Sequence, residues 1–237
     1  MSQEQLLDNI THKDIKILTQ RSASLGDDVS ITRVFPSEFA QLQSDYPIFF
    51  KKNGQTGQFE AVALLGFNER ENLYLTQSGW QAQYIPLSIL RQPFLIGFVE
   101  KQLNGIPVSE PAVHIDMSHP RVSTQQGEAL FSSQGGMSDY LQNVNSILLA
   151  IHSGHSQSES FVASLLKYEL LESALINAGT ARLSGLYTIN EDVLSRLTDN
   201  AIVELHNQGY LQHIYMVLAS LGQLRKLVRM KEQIEER

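Results

Sequence analysis

Pro47-Ile48-Phe49-Phe50-Lys51-Lys52-Asn53-Gly54-Gln55-Thr56-Gly57-Gln58-Phe59-Glu60-Ala61-Val62-Ala63-Leu64-Leu65-Gly66-Phe67 is the stretch that decides the fold. Two runs rich in aromatic and aliphatic residues flank a polar, glycine-punctuated centre. Such runs suit pleated strands, and Asn-Gly with a second glycine marks the reversal between them. The segment reads as an antiparallel hairpin, Pro47–Lys52 against Phe59–Phe67. Working outward, Val29–Val34 alternates and reads as a strand. Pro36-Ser37-Glu38 opens a short helix with Phe39 and Leu42 on one face. Asn72–Thr76 reads as a short strand, and Leu87–Arg91 as one helical turn stopped by Pro93. Phe94–Glu100 and Ala112–Asp116 read as two more strands, separated by a turn at Asn104-Gly105 and Pro107.

The two halves of the chain differ. All seven prolines precede Arg121, and most aromatic residues lie between Phe35 and Phe98. Proline breaks helix interiors, so long helices belong to the second half. There Leu141, Val144, Leu148 and Ile151 recur at helical spacing after Ser138-Asp139, with Gly154 as the expected stop. Phe161, Leu165, Tyr168 and Leu171–Leu175 predict a second helix ending near Gly179. Arg182–Ile189 reads as a strand, Asn190 caps a short helix through Leu197, and Thr198 begins another that ends before Gly209. Residues 210–233 are expected as the last and longest helix. The fold class is therefore α+β, an antiparallel β-rich N-terminal part packed against a mostly helical C-terminal part. With no evident linker, residues 1–237 are expected to form one domain, with a subdivision into a β-rich part, 1–133, and a helical part, 134–237.

Composition limits the function. The 237 residues are 42% hydrophobic and 18% charged, which fits a folded protein with a sizeable core. The net charge of −7 and the absence of a basic stripe argue against nucleic acid as a partner. The densest basic stretch, Arg225, Lys226, Arg229 and Lys231, runs straight into Glu232, Glu235 and Glu236 and reads as a solvated helix face. No cysteine is present, which removes disulfides, thiolate metal ligands and cysteine nucleophiles. The first ten residues carry neither a basic nor a long apolar segment of the kind that directs secretion, and no run approaches the roughly 20 apolar residues of a membrane helix. A soluble, cytoplasmic protein is expected.

Chemical signatures are sparse. His114-Ile115-Asp116 places an imidazole and a carboxylate on one face of a strand. With His206 or His213 added, it would satisfy the facial triad of a non-heme iron oxygenase. Gly154-His155-Ser156-Gln157-Ser158 approaches the nucleophile elbow of serine hydrolases, but its last residue is not glycine and it is expected in a turn between helices. Neither a phosphate-binding loop nor a dinucleotide fingerprint occurs. The densest unusual cluster runs from Gly79-Trp80 through Tyr84-Ile85-Pro86 to Leu90-Arg91-Gln92-Pro93-Phe94. Trp80 and Tyr84 offer aromatic area and Arg91 a fork for anions. Asp116 and Pro120-Arg121 read as a structural ion pair or as part of a polar site. Trp80, Tyr84, Arg91, Asp116 and Arg121 are thus the candidate binding residues. No catalytic residue, metal or cofactor is assigned.

Taken in order, several of these segments resemble one known family. Tyr46-Pro47-Ile48-Phe49-Phe50, Val62–Gly66, Asn72–Leu75, Tyr84-Ile85-Pro86, Leu90-Arg91 and Pro93-Phe94 are similar to the SapC-like family of bacteria. So are Ile115-Asp116, Pro120-Arg121, Gly127-Glu128, Leu130-Phe131, Gly185-Leu186-Tyr187, Gly209-Tyr210-Leu211 and Ile214-Tyr215. The resemblance spans residues 12–225. Its members carry labels such as surface-layer protein, peptide permease and multidrug transporter. Their genes accompany halogenase-like flavoproteins, cupin-like hydroxylases and TonB-dependent receptors. The resemblance implies a non-enzymatic binding or accessory protein linked to substrate uptake or modification, with a protein or a small molecule as partner. An iron oxygenase using His114 and Asp116, or a surface-layer subunit, is the alternative. The family pattern carries the aspartate at 116 and the arginine at 121 but no histidine at 114, which weighs against the iron site.

Overall fold

The computed structural model describes residues 3–103, 106–178 and 181–236. The turn expected at Asn104-Gly105 and the helix end expected near Gly179 lie outside these residues. The chain forms two compact units, each built from two separated segments: Met1–Asp27 with Leu87–His152, and Asp28–Pro86 with Ser153–Arg237. All strand pairings among the described residues are antiparallel, and the fold is α+β.

In the first unit, Ile106–Asp116 lies between Glu4–Leu6 and Phe94–Leu103. Phe94–Leu103 pairs along its whole length, whereas the other outer strand is short. Glu4–Leu6 reaches only Asp116–His114, so Pro107 and Pro111 fall where that edge of the strand is uncovered. A missing backbone donor costs nothing there. A second small sheet places Lys16–Ile17 between Val122–Ser123 and Glu128–Ala129. Leu141, Val144 and Leu148, at helical spacing, close the core against Ile17, Phe94 and Ile115.

In the second unit the predicted hairpin is present, Ile48–Lys52 against Phe59–Leu64, with Lys52 opposite Phe59 and Ile48 opposite Ala63. Asn53 organises the turn. Its Oδ1 accepts the backbone N–H groups of Gln55 and Thr56, at 2.9 and 3.2 Å. Gly57, not Gly54, takes the left-handed conformation, with φ of 72°. The hairpin forms the middle of a five-stranded sheet that runs Leu171–Ala178, Ala181–Ile189, Ile48–Lys52, Phe59–Leu64, Ile31–Arg33. Phe39, Phe50, Phe161, Leu165, Ile214 and Val217 bury their side chains in its core.

Several boundaries differ from those the sequence predicts. Asp139–Lys167 is one continuous helix that passes through Gly154. A Cβ at Gly154 would lie 2.7 Å from ring carbons of Phe35, so the glycine gives Phe35 room rather than ending the helix. Gly154-His155-Ser156-Gln157-Ser158 is therefore helical, not an inter-helix turn. The helix ends instead at Lys167, and Glu169 just beyond it, with a φ of 54°, breaks the backbone repeat. Leu171–Ala178 is then a strand paired with Ala181–Ile189, and this cross-strand pairing overrides the helical spacing of its leucines. The expected helix over 210–233 is two, Tyr210–Ser220 and Gly222–Glu235, and neither exceeds the 139–167 helix in length. Ser220 is fully buried at their junction and its hydroxyl accepts the Ile48 N–H at 2.9 Å. Only Leu75–Thr76 of the expected Asn72–Thr76 strand is paired, with Gly79–Trp80. The caps at Asn190 and Thr198 form as read, accepting from Val193 N–H and Ala201 N–H. Lys231, in the basic stretch, is not solvated: it is 6% exposed and pairs with Glu71 at 2.7 Å and Glu235 at 3.5 Å. No described helix is long and apolar enough to cross a membrane.

Candidate functional site

Two of the five candidate residues, Arg91 and Asp116, meet at one cleft in the first unit. Leu87–Leu90 forms a helical turn, and the chain then reverses through a cis Gln92-Pro93 bond into the Phe94 strand. Phe94 N–H bonds the Arg91 carbonyl at 2.7 Å, and Asp116 N–H bonds the Pro93 carbonyl at 3.1 Å. The end of one strand is thereby held beside the start of its neighbour, and both polar side chains come to the same corner. Glu4, Gln92, Pro93, Leu95 and His119 complete an open cleft of about 230 Å³. That is below the roughly 300–1,000 Å³ of sites for drug-sized ligands.

The charges of this cleft are fixed by local bonding. Asp116 Oδ1 accepts the Ser118 hydroxyl at 2.6 Å, the Ser118 N–H at 3.0 Å and the Gln3 N–H at 3.0 Å. The Ser118 hydroxyl bond in particular holds the carboxyl below its ordinary value, so it is an anion at neutral pH. Arg91 donates Nη1 to the Phe94 carbonyl at 2.7 Å. Burial lowers its pKa while Glu4 opposes the shift, and an arginine stays charged under both influences. His119 is lowered by burial and then by the nearby Arg121 guanidinium, which leaves it neutral at pH 7. Its Nδ1 lies 3.2 Å from the Arg121 N–H and accepts from it, so the neutral ring carries its proton on Nε2. Gln92 Oε1 is buried and finds no hydrogen-bond partner among the described residues. The arrangement thus offers one cation, two carboxylates, an imidazole and an amide within a small volume. It can bind opposed charges, and it shows no nucleophile activated by a neighbouring base.

Arg121 is near but serves a different purpose. It is 1% exposed, and its Nη2 reaches both Asp27 oxygens at 2.6 and 2.7 Å. Its Nη1 donates to the carbonyls of Leu18 and Gln20 at 2.8 and 2.9 Å. Asp27 also takes Arg21 at 3.3 Å and the Ser22 N–H at 2.9 Å. The ion pair read between Asp116 and Arg121 is therefore replaced by a buried Asp27–Arg121 pair. A carboxylate as deep as Asp27 requires such a partner, and nothing in the sequence spacing shows which arginine supplies it.

Trp80 and Tyr84 belong to the second unit, in a network of internal hydrogen bonds. Trp80 Nε1–H donates to the Tyr46 hydroxyl at 2.7 Å, and that hydroxyl donates onward to the Tyr84 carbonyl. The Tyr84 hydroxyl donates to Glu38 at 3.0 Å, and Asp45 accepts the N–H groups of Gln83 and Tyr84. Burial pushes the Tyr46, Tyr74 and Tyr84 phenols up. Their polar atoms are occupied in fixing this loop. His114 shares the strand face of Asp116, but its ring lies over Gly97, where a Cβ would come 1.9 Å from Nδ1. That nitrogen is buried without a hydrogen-bond partner among the described residues. No group of three His, Asp or Glu side chains among the described residues is placed to hold a metal ion. Glu4, Gln92 and His119 were not singled out by the sequence. Of these, Gln92 lies inside the Leu90–Phe94 cluster, while nothing local marks Glu4 or His119.

The chain is an α+β protein whose first unit carries a small, mixed-charge cleft. The family model SapC matches residues 7–227, and the chain belongs to the SapC family. No curated protein and no solved structure matches it.

Proposed function

We propose that this protein is a non-enzymatic binding or accessory protein that takes a small ligand bearing opposed charges in the Arg91–Asp116 cleft. One observation carries the reading: Arg91 and Asp116, from separate stretches of sequence, line one cleft with Glu4 and His119. Arg91 suits a carboxylate or other planar anion, while Asp116 and Glu4 suit an ammonium group. The volume fits a ligand of free amino-acid size. A bacterial cytoplasmic location and a place beside substrate uptake or modification belong to the same reading, and cell fractionation tests the first directly. Native mass spectrometry of protein purified gently from its own cells tests the function. A retained small molecule that disappears from Arg91→Ala supports it. A retained metal in stoichiometric amount, or ordered assemblies of many copies, would replace it with the oxygenase or surface-layer reading.

A further inference from the structure

A second depression lies in the other unit, where the 139–167 helix passes the Gly209 turn that leads into the Tyr210–Ser220 helix. Its volume is about 440 Å³, within the range of small-molecule sites. Ser156, Gln157 and Ser160 line it from the long helix, and Gln208, Tyr210 and His213 from the segment around Gly209. Gly209 has a φ of 75°, which lets the chain turn sharply and bring Gln208 and Tyr210 to the same wall.

The chemistry of this wall is narrow. Apart from Pro36, every lining side chain is a hydroxyl, an amide, a phenol or an imidazole, and none is Asp, Glu, Lys or Arg. Burial keeps His213 below its ordinary value, so the ring is neutral at pH 7. That ring is held edge-on by Phe39 and Phe161, at 5.8 and 5.6 Å between centroids, and its Nδ1 has no hydrogen-bond partner among the described residues. Phe161 also packs on Tyr210 at 5.3 Å, which fixes the phenol at the rim. Gln208 Oε1 accepts a long bond from Ser164 at 3.4 Å, leaving its amide donors for another group. The Tyr210 hydroxyl and the Gln157 amide make no hydrogen bond within the described residues.

An uncharged wall of paired donors and acceptors with an anchored aromatic ring matches one ligand chemistry. Hydroxyl groups, each donor and acceptor at once, satisfy amides and phenols, and the C–H face of a sugar ring packs on an aromatic. An anion or a cation would lose its hydration here and gain no opposite charge. We propose that this pocket binds an uncharged polyhydroxylated molecule of one- or two-sugar size. It is independent of the Arg91–Asp116 cleft.

The test uses the full chain, labelled for amide NMR, titrated with glucose, maltose, glucose 6-phosphate and lysine into the millimolar range. The expected result is saturable shifts at residues 156–160 and 208–213 with glucose or maltose. Gln208→Ala and Tyr210→Phe, both at the rim, should each weaken that binding about tenfold, the loss of about 1.4 kcal/mol. Arg91→Ala should leave it unchanged. No saturable shift with either neutral sugar would overturn the proposal. So would binding of only the charged probes, or sugar binding that Gln208→Ala and Tyr210→Phe both leave intact in folded protein.

Discussion

Replacing Arg121 by Met removes the cation that faces Asp27. The surrounding groups determine the cost. Asp27 is fully buried and would retain Arg21, at 3.3 Å, and the Ser22 N–H, while the carbonyls of Leu18 and Gln20 would lose their donor. Breaking a buried pair from one side typically costs about 3–5 kcal/mol, because a charge is left in a medium that solvates it poorly. Arg21 offsets part of this, so about 3 kcal/mol is expected. For a chain of this length each kcal/mol lowers Tm by about 2–4 °C, which gives a fall of about 6–12 °C. Asp27→Leu should be similarly harmful, as it strands two guanidinium groups. The double variant should be less destabilised than the two singles combined, since neither charge is then left alone. Urea unfolding followed by circular dichroism provides the free energies, and amide exchange at residues 16–18 locates the loss. If Arg121→Met stays within about 1 kcal/mol of the parent, the buried pair is not what holds the 18–27 segment, and the reasoning from burial fails.

Other consequences are equally specific. Gly154→Ala gains about 1 kcal/mol of helix propensity but forces a carbon to 2.7 Å from Phe35, an overpacking cost of about 1–3 kcal/mol, so thermal melting should show net destabilisation. Gly97→Ala drives a methyl into the His114 ring and should cost about 1–3 kcal/mol by urea unfolding, largely relieved when His114 is also changed to Ala. His119 and His213 both titrate below the ordinary imidazole value in the fold because they are buried, so the unfolded chain takes up their protons first as pH falls. Stability from this source is full above about pH 6.5 and lost as pH drops through it. Urea midpoints between pH 8 and 5.5 should therefore fall, and His213→Gln should flatten the slope.

The hairpin and the caps were legible because their signals are local. Asn53 bonds groups two and three residues away, and Asn190 and Thr198 cap helices that start beside them. What the sequence hid depends on distant partners. Gly154 looks like a helix stop until Phe35, more than a hundred residues earlier, is seen against it. Leu171–Ala178 has helical spacing, and only the presence of the Ala181–Ile189 strand makes it β. Candidate residues divide the same way. Arg91 and Asp116 were found through their residue types, and their shared cleft depends on the pairing of two strands. Arg121 has the same type as Arg91 but the opposite role, because Asp27 lies beneath it. Trp80 and Tyr84 bond to Tyr46 and Glu38, partners 34 and 46 residues earlier that local sequence does not reveal.

The most direct test of the binding function is calorimetric titration of the full chain with free amino acids, beside Arg91→Ala and Asp116→Asn. Saturable binding of at least one zwitterion, weakened about tenfold or more by each substitution in folded protein, is the predicted result. Amino-acid binding that both variants retain, or none at all by the parent protein, would contradict the Arg91–Asp116 cleft as the site of function.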